Sequence, residues 1–360
     1  MSDSTARPDP EKLRQTQAML TGIATGAVVA AMISLGMRLG LYRALADAGP
    51  ATSEELARAS GLHERWLREW LRGQAAAHIV EYDGHGRFSL APEAAPLLVD
   101  AGSLIYMGAS FIPLPARIGM VERLPDAFRT GLGLSWDDRG PDAPAATELL
   151  FGNWYRQALV PVALPMLDGV VPRLAAGARV ADVGCGTGIA LVEMAKAFPR
   201  SEFHGYEVSG FALERAAANR DAAGVANVAF HDAQSDPLPA DHSFDLITTF
   251  DCLHDMTDPD GAARAIHAAL KSDGAWLIAD INGQPTFEEN LAANPQAPLL
   301  YGISVLSCMS SALSEPGGAG LGTLGLPEPA MRELATRAGC TRFRRLDLKH
   351  PINAFYEARP

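Results

Sequence analysis

Cysteine is scarce and scattered: Cys185, Cys252, Cys308 and Cys340 all lie in the second half, with no close pair among them. That spacing excludes a disulfide framework and a cysteine-rich zinc site, and it suits a reducing cytoplasm. Basic charge is in deficit, with 30 Lys and Arg against 42 Asp and Glu, a formal net charge of −12. A polyanionic partner needs a concentrated basic surface, so nucleic acid is not the expected ligand and a small molecule is. There is no internal repeat and no low-complexity tract. The N-terminus, MSDSTARPDPEK, lacks the basic start and apolar run of a secretory signal, and residues 1–10 read as a loose tail.

What the chain does have is 360 residues, 48% of them apolar and 20% charged, enough for two domains with ordinary cores. Ala18 to Met37 carries no charge over about the length a membrane span needs. Its Ala, Gly, Thr and Ser gain little from lipid and favour close helix packing, which predicts a buried helix at a subunit interface and no membrane span.

Residues 39–100 read as helices over Leu41–Ala46, Ser53–Ala59 and His63–Ala77, followed by a hairpin turning at Asp83-Gly84 and Gly86. Ser53 before Glu54 and Glu55 marks a helix start. This is a winged-helix pattern. The helix that would read DNA, ERWLREWLRGQAAA, holds three Arg against two Glu, and the hairpin is acidic, so a structural role or a lid is expected instead. Residues 101–175 read as linker helices and pocket wall, with an exposed loop from Gly131 to Ala146. From Ala178 strands alternate with amphipathic helices, the mark of a parallel α/β sheet covered on both faces. The expected strands are 178–183, 202–207, 227–231, 244–250, 274–281, 341–347 and 352–358.

The chemistry-bearing stretch is VADVGCGTG, Val180 to Gly188. Gly184, Gly186 and Gly188 give a sharp turn where a ligand meets backbone without an intervening Cβ. Asp182, two residues before the first glycine, can accept from an amino-acid ammonium, a position a diphosphate would reject. Glu207 ends the next strand, where an acid can accept both ribose hydroxyls, and Asp232 ends the third, within reach of an adenine amino group. Three acids at successive strand ends beside one glycine loop point to an adenosine cofactor with an amino-acid tail.

On these residues, 178–281 resembles the class I S-adenosylmethionine-dependent methyltransferases. The resemblance implies a Rossmann-like, seven-stranded domain over 176–360, after a mainly helical winged-helix dimerisation domain over 1–100. It implies S-adenosylmethionine as cofactor, held by Asp182, Gly184, Gly186, Gly188, Glu207, Val208, Asp232, Ala233 and Phe250. The fourth strand runs into FDCLHDMTDPDG, with His254 just beyond its end and Asp258-Pro259 as a helix cap and first turn. His254 alone combines that location with a titration range suited to proton transfer. Small-molecule O-methyltransferases with an N-terminal winged helix carry a similar segment, which implies His254 as general base and Asp280 as the acid that orients it. A bacterial subgroup with this layout is often labelled as transcriptional regulators, and its acceptor does not follow from the motifs.

Met107, Phe111, Trp154, Tyr155, Phe250 and Tyr301 are candidates for the substrate pocket and equally for plain core. The long segment around Tyr301 and Met309 reads as a lid or substrate wall. No metal is expected: His254 and Asp255 would need a third ligand, and no histidine lies between His267 and His350. The expected partners are a small-molecule acceptor and a second copy of the chain. Two alternatives stay open: a DNA-binding regulator that senses the cofactor, and a cofactor-binding enzyme that no longer transfers methyl.

Overall fold

The computed structural model describes residues 8–360; the tail expected at 1–10 lies largely outside the described residues, and Pro10 already opens a helix. The chain divides into two compact units, Met1–Ala116 and Arg117–Pro360, so the boundary falls inside the segment read as a linker.

The first unit holds α1 (Pro10–Arg38), α2 (Leu41–Ala48), α3 (Ser53–Ser60), α4 (Glu64–Ala76) and a hairpin of β1 (Glu81–Tyr82) with β2 (Phe88–Ser89). Its core gathers Leu41, Tyr42, Leu45, Leu56, Leu67, Trp70, Leu71 and Phe88, with Phe111 packed against it. The start of α3 differs from expectation. Thr52, not Ser53, is the cap, because its hydroxyl accepts from Glu55 N while Glu55 reaches back to Thr52 N. Gly36 lets α1 lie against Trp70, whose Nε1 donates to Met32 O at 3.0 Å; a Cβ at Gly36 would strike the indole.

The chain's own packing buries only a small part of the helix expected at Ala18–Met37. Only Ile33, Ser34 and Gly36 of α1 are buried, and Leu13, Met19, Leu20, Ile23 and Val28 stand open. Tertiary partners inside the unit reach only its C-terminal third. By length and composition α1 is also long and apolar enough to cross a membrane.

The second unit is built on seven strands: β3 (Arg179–Val183), β4 (Glu202–Glu207), β5 (Val228–Asp232), β6 (Phe244–Phe250), β7 (Leu270–Ile281), β8 (Arg342–Leu346) and β9 (Asn353–Arg359), in the order β5-β4-β3-β6-β7-β9-β8. All pairings from β5 to β7 are parallel, and β9 runs antiparallel to both β7 and β8. The chain reverses its direction of travel across the sheet between β3 and β6, and the crevice at such a point is where open α/β sheets bind ligands. Helices Ile189–Ala197 and Gly210–Ala223 cover one part of the sheet and Pro259–Ala269 and Glu328–Ala338 another. Their apolar faces close two cores, one around Leu191, Leu246 and Phe355, the other around Ile247, Trp276 and Met331. Asp258 caps its helix, accepting from Gly261 N at 2.7 Å with Pro259 in the first turn.

The segment 131–146 is not a free loop. Gly133 N donates to Leu313 O and Leu134 N to Ser310 Oγ, both at 2.8 Å, and a helix begins at Ala143. Asp138 and Arg139 of this segment take specific partners, Arg123 and Ser307.

Candidate active site

The three glycines of the loop after β3 all have left-handed backbones, with φ of 72° at Gly184, 52° at Gly186 and 70° at Gly188. Two of them are required by close packing as well. A Cβ at Gly184 would meet Cys252 at 2.8 Å, and one at Gly188 would enter the Phe230 ring. At Gly186 a Cβ would meet nothing within 4 Å, so this backbone faces open space at the sheet edge.

Asp182 is 2% exposed and accepts from Thr248 Oγ1 at 2.7 Å. Burial raises its pKa to about 7, against the Thr248 bond and with help from the charge of Glu207. A carboxyl so placed is poised to take a cation's hydrogen bond. Glu207, also raised by burial, accepts from Gly186 N at 2.8 Å, Val208 N at 2.8 Å and Ser209 N at 3.0 Å. Asp232 lies in the open, lowered by bonds from Gln234 N and Ser235 Oγ. All three acids stand at the carboxyl ends of neighbouring strands.

At the carboxyl ends of β6 and β7 a second cluster forms. Asp251 leaves β6 with φ 58°, unusual for a residue with a Cβ, and its carboxylate accepts from Asn353 Nδ2 at 2.6 Å. The turn Leu253–Asp255 then brings His254, 1% exposed, against Asp280 at the end of β7. Nδ1 of His254 meets Asp280 Oδ1 at 2.7 Å, and the same oxygen accepts from Ile281 N at 2.8 Å. Asp280 therefore fixes the ring with Nδ1 as its donor, while Cys308 supplies the ring's other polar neighbour. Burial alone pushes the His254 pKa down; Asp280 and Cys308 outweigh it, and the pKa stands well above 6.5. Asp255 and Asp251 are each pushed up to about 7, chiefly by burial.

Donor atoms of His254, Asp255 and Cys308 lie within 4.8 Å of one another, as do those of Asp251, His254 and Asp280. Either set has the donor chemistry of a transition-metal site. The third donor that sequence inspection sought as a histidine is here a cysteine.

Sequence inspection passed over two arginines. Arg139, in the segment read as an exposed loop, donates to Ser307 Oγ at 2.5 Å and Ser307 O at 2.8 Å and stacks over Trp136 at 3.8 Å. Arg117 is half-buried beside Cys308, with its pKa lowered by burial. Only a chain fold that returns 307–308 to the sheet edge makes them visible.

The aromatic candidates separate. Trp154 stacks on Phe355 at 4.9 Å, and Phe250 packs at 5.2 Å from Tyr155, so Trp154 and Phe250 belong to the core beneath the edge. Tyr155 lies in the field of Asp182 and Asp251, between the two clusters. Tyr301 packs on Phe287 and is 36% exposed. Met107 and Phe111 belong to the first unit. Val208 is 53% exposed beside Glu207, and Ala233 N donates to Glu207 O at 2.9 Å.

A methyltransferase-domain family matches residues 174–312, and a family described as Rv2258c-like winged HTH domain matches residues 27–99. The mitomycin biosynthesis 6-O-methyltransferase of Streptomyces lavendulae is 28% identical over 276 residues, 72% of this chain and 75% of that protein. The ubiquinone biosynthesis O-methyltransferase of Neisseria meningitidis is 31% identical over 130 residues, 35% of this chain and 52% of that protein, so the match spans about half its length. Human N-acetylserotonin methyltransferase, solved in complex with S-adenosylmethionine, shares the fold with a TM-score of 0.67 at 17% identity, covering 99% of each chain.

Proposed function

We infer that this chain transfers a methyl group from S-adenosylmethionine to a hydroxyl oxygen of a small, partly apolar acceptor, since residues 174–312 match a methyltransferase-domain family and residues 27–99 a winged HTH family. The observation that carries the reading is the buried His254–Asp280 pair, set at the same sheet edge as Asp182, Gly186 and Glu207. The relatives named for O-methylation support oxygen as the atom methylated.

The residues present fit the cofactor. Asp182 would accept from its ammonium, the open backbone at Gly186 would admit its methionyl part, Glu207 would take the ribose hydroxyls and Asp232 the adenine amino group, with Val208 and Ala233 alongside. When bound, S-adenosylmethionine supplies a methyl group already activated on a sulfonium. The chain's own work is to align acceptor and donor, to exclude water and to take one proton. His254 takes that proton on the nitrogen turned away from Asp280, which holds the ring and stabilises the imidazolium. Its raised pKa means that the ring gives up a proton of its own before it can act, so transfer accelerates as pH rises.

Two further parts of the reading concern the first unit. The exposed apolar run of α1 is covered by a second copy of the chain, which gives a homodimer. DNA binding is disfavoured, since Arg68 and Arg65 of α4 are taken by Glu64 and Glu69 at 2.6 and 2.5 Å and Arg87 of the hairpin by Glu55. The unpaired thiols of all four cysteines fit a reducing cytoplasm.

Isothermal titration with S-adenosylmethionine and S-adenosylhomocysteine tests the reading directly. Both should bind the intact protein, and Asp182→Ala should abolish binding. Failure of both ligands to bind would remove the methyltransferase assignment.

A further inference from the structure

The chain carries more acid than base, and its arginines on the surface of the second unit are mostly matched. Arg123 meets Asp138, Arg173 meets Asp273, Arg215 meets Glu148 and Arg337 meets Asp260, all at 2.9 Å or less. Arg117 and Arg139 break this rule. Among the described residues no hydrogen bond or ion pair reaches the guanidinium of Arg117, though it is half-buried and sits beside Cys308. Arg139 is hydrogen-bonded only to the neutral Ser307; its charge feels the acid Asp255 without a direct ion pair, and the two arginines repel each other.

Two half-buried guanidinium groups without a paired anion are costly, and an anion bound there would offset the cost. Arg139 spends one N–H on the Ser307 hydroxyl and one on its carbonyl, leaving three of its five donors, and Arg117 has all five to offer. The planar fork of a guanidinium matches a carboxylate in a bidentate pair.

Their place relative to the chemistry is fixed by the chain. Arg139 holds Ser307, the next residue is Cys308, and the Cys308 sulfur lies within 4.8 Å of a ring nitrogen of His254. Arg139 is itself held in position, because Asp137, two residues earlier, accepts from Ser209 Oγ and from Gly210 N at 3.1 Å beside Glu207. The cationic pair thus borders the proton-accepting end of the site rather than the glycine loop.

We propose that Arg117 and Arg139 bind a carboxylate on the methyl acceptor, so that the substrate is a compact hydroxy acid whose hydroxyl faces His254. This rests on the methyltransferase reading above. The same chemistry would suit the cofactor's own carboxylate, and the experiment separates the two sources.

The test is calorimetric titration of the full chain, saturated with S-adenosylhomocysteine, with acids paired to their primary amides: the three hydroxybenzoates with the hydroxybenzamides, and mandelate with mandelamide. At least one acid should bind tenfold or more tightly than its amide. Arg117→Gln should remove that preference, Arg117→Lys should restore part of it, and the amide and S-adenosylhomocysteine affinities should stay unchanged. The comparison of acid with amide in the unaltered protein needs no variant to fold. The proposal is overturned if no pair prefers the acid, if Arg117→Gln keeps the preference, or if that variant weakens S-adenosylhomocysteine instead, which would assign the arginines to the cofactor. If S-adenosylhomocysteine does not bind the unaltered chain, the methyltransferase reading itself falls.

Discussion

Asp280→Asn is the substitution that most directly interrogates the pair at the centre of the site. It preserves shape and removes a charge from a bond of 2.7 Å between groups that are each 1% exposed. A buried hydrogen bond to a charged partner contributes about 1.5–3 kcal/mol. A second cost comes from the amide, because Asp280 Oδ2 has no hydrogen-bond partner and an NH2 placed there would be equally alone, at about 1–3 kcal/mol. The two costs differ in pH dependence. His254 has a native pKa well above 6.5, so its stabilising proton contributes fully below 6.5 and the contribution disappears as pH rises through the native value. The amide cost does not titrate. Urea unfolding of both proteins should therefore show a stability gap that is largest near pH 6 and narrows in alkali by about 1.5–3 kcal/mol, with unchanged m values. In turnover, the rising limb of the pH profile should move to lower pH in the variant, with a plateau roughly 10- to 100-fold lower. A gap that stays constant or widens with pH would refute the ion-pair account, and an unmoved limb would take His254 out of proton transfer.

Three more outcomes follow from the geometry. Since Asp182 has a pKa of about 7 and must be ionised to receive an ammonium, S-adenosylmethionine should bind roughly tenfold more weakly at pH 6 than at pH 8 by calorimetry; equal affinities would mean that Asp182 does not meet the ammonium. Gly188→Ala puts a Cβ into the Phe230 ring at a φ of +70°, which should cost about 2–4 kcal/mol and appear as a lower thermal midpoint. Leu20→Asp places a charge in the exposed apolar run of α1, where Leu20 is 57% exposed, and should convert a dimer to a monomer in light scattering while leaving the monomer's secondary structure unchanged.

Much of this fold was legible because its pattern is local. The seven strands show as apolar runs, and the parallel pairing of β3 to β7 follows from their alternation with helices, whereas β8 and β9, with no helix between them, pair antiparallel. The first half of the site was legible for the same reason: Asp182, the glycines and Glu207 each sit within a few residues of a recognisable strand end. Capping was less legible, since Thr52 and Ser53 are both good caps and only the reach of Glu55 to Thr52 N decides between them. The helix of α1 was legible, but how much of it the chain's own core would cover was not, because an uncharged helix packs against whatever is present and that core covers only its last third.

Of the acceptor half, His254 and Asp280 stood out just beyond two strand ends, but the rest was illegible because it is assembled from segments far apart in sequence. Arg117, Arg139, Ser307 and Cys308 have no spacing in common with that pair, and a polar run such as SWDDRGPD reads as solvent-facing until its partners are known. Once folded, that run ties the two halves together: Asp137 holds the turn after Glu207, and two residues on Arg139 holds the turn before Cys308. Each tie is a bond to a backbone group or a small hydroxyl, so it fixes position without neutralising charge on the arginine. A strap anchored in this way connects the turn after Glu207 to Arg139, which holds the residue before Cys308. Cofactor binding and acceptor binding should accordingly be coupled through residues 137–139, and by reciprocity each ligand should change the other's affinity by the same factor. Asp137→Ala releases only the first anchor. It should reduce that factor toward one while Arg117 and Arg139 still select the acid over the amide; an unchanged factor would show that the two halves are bound independently.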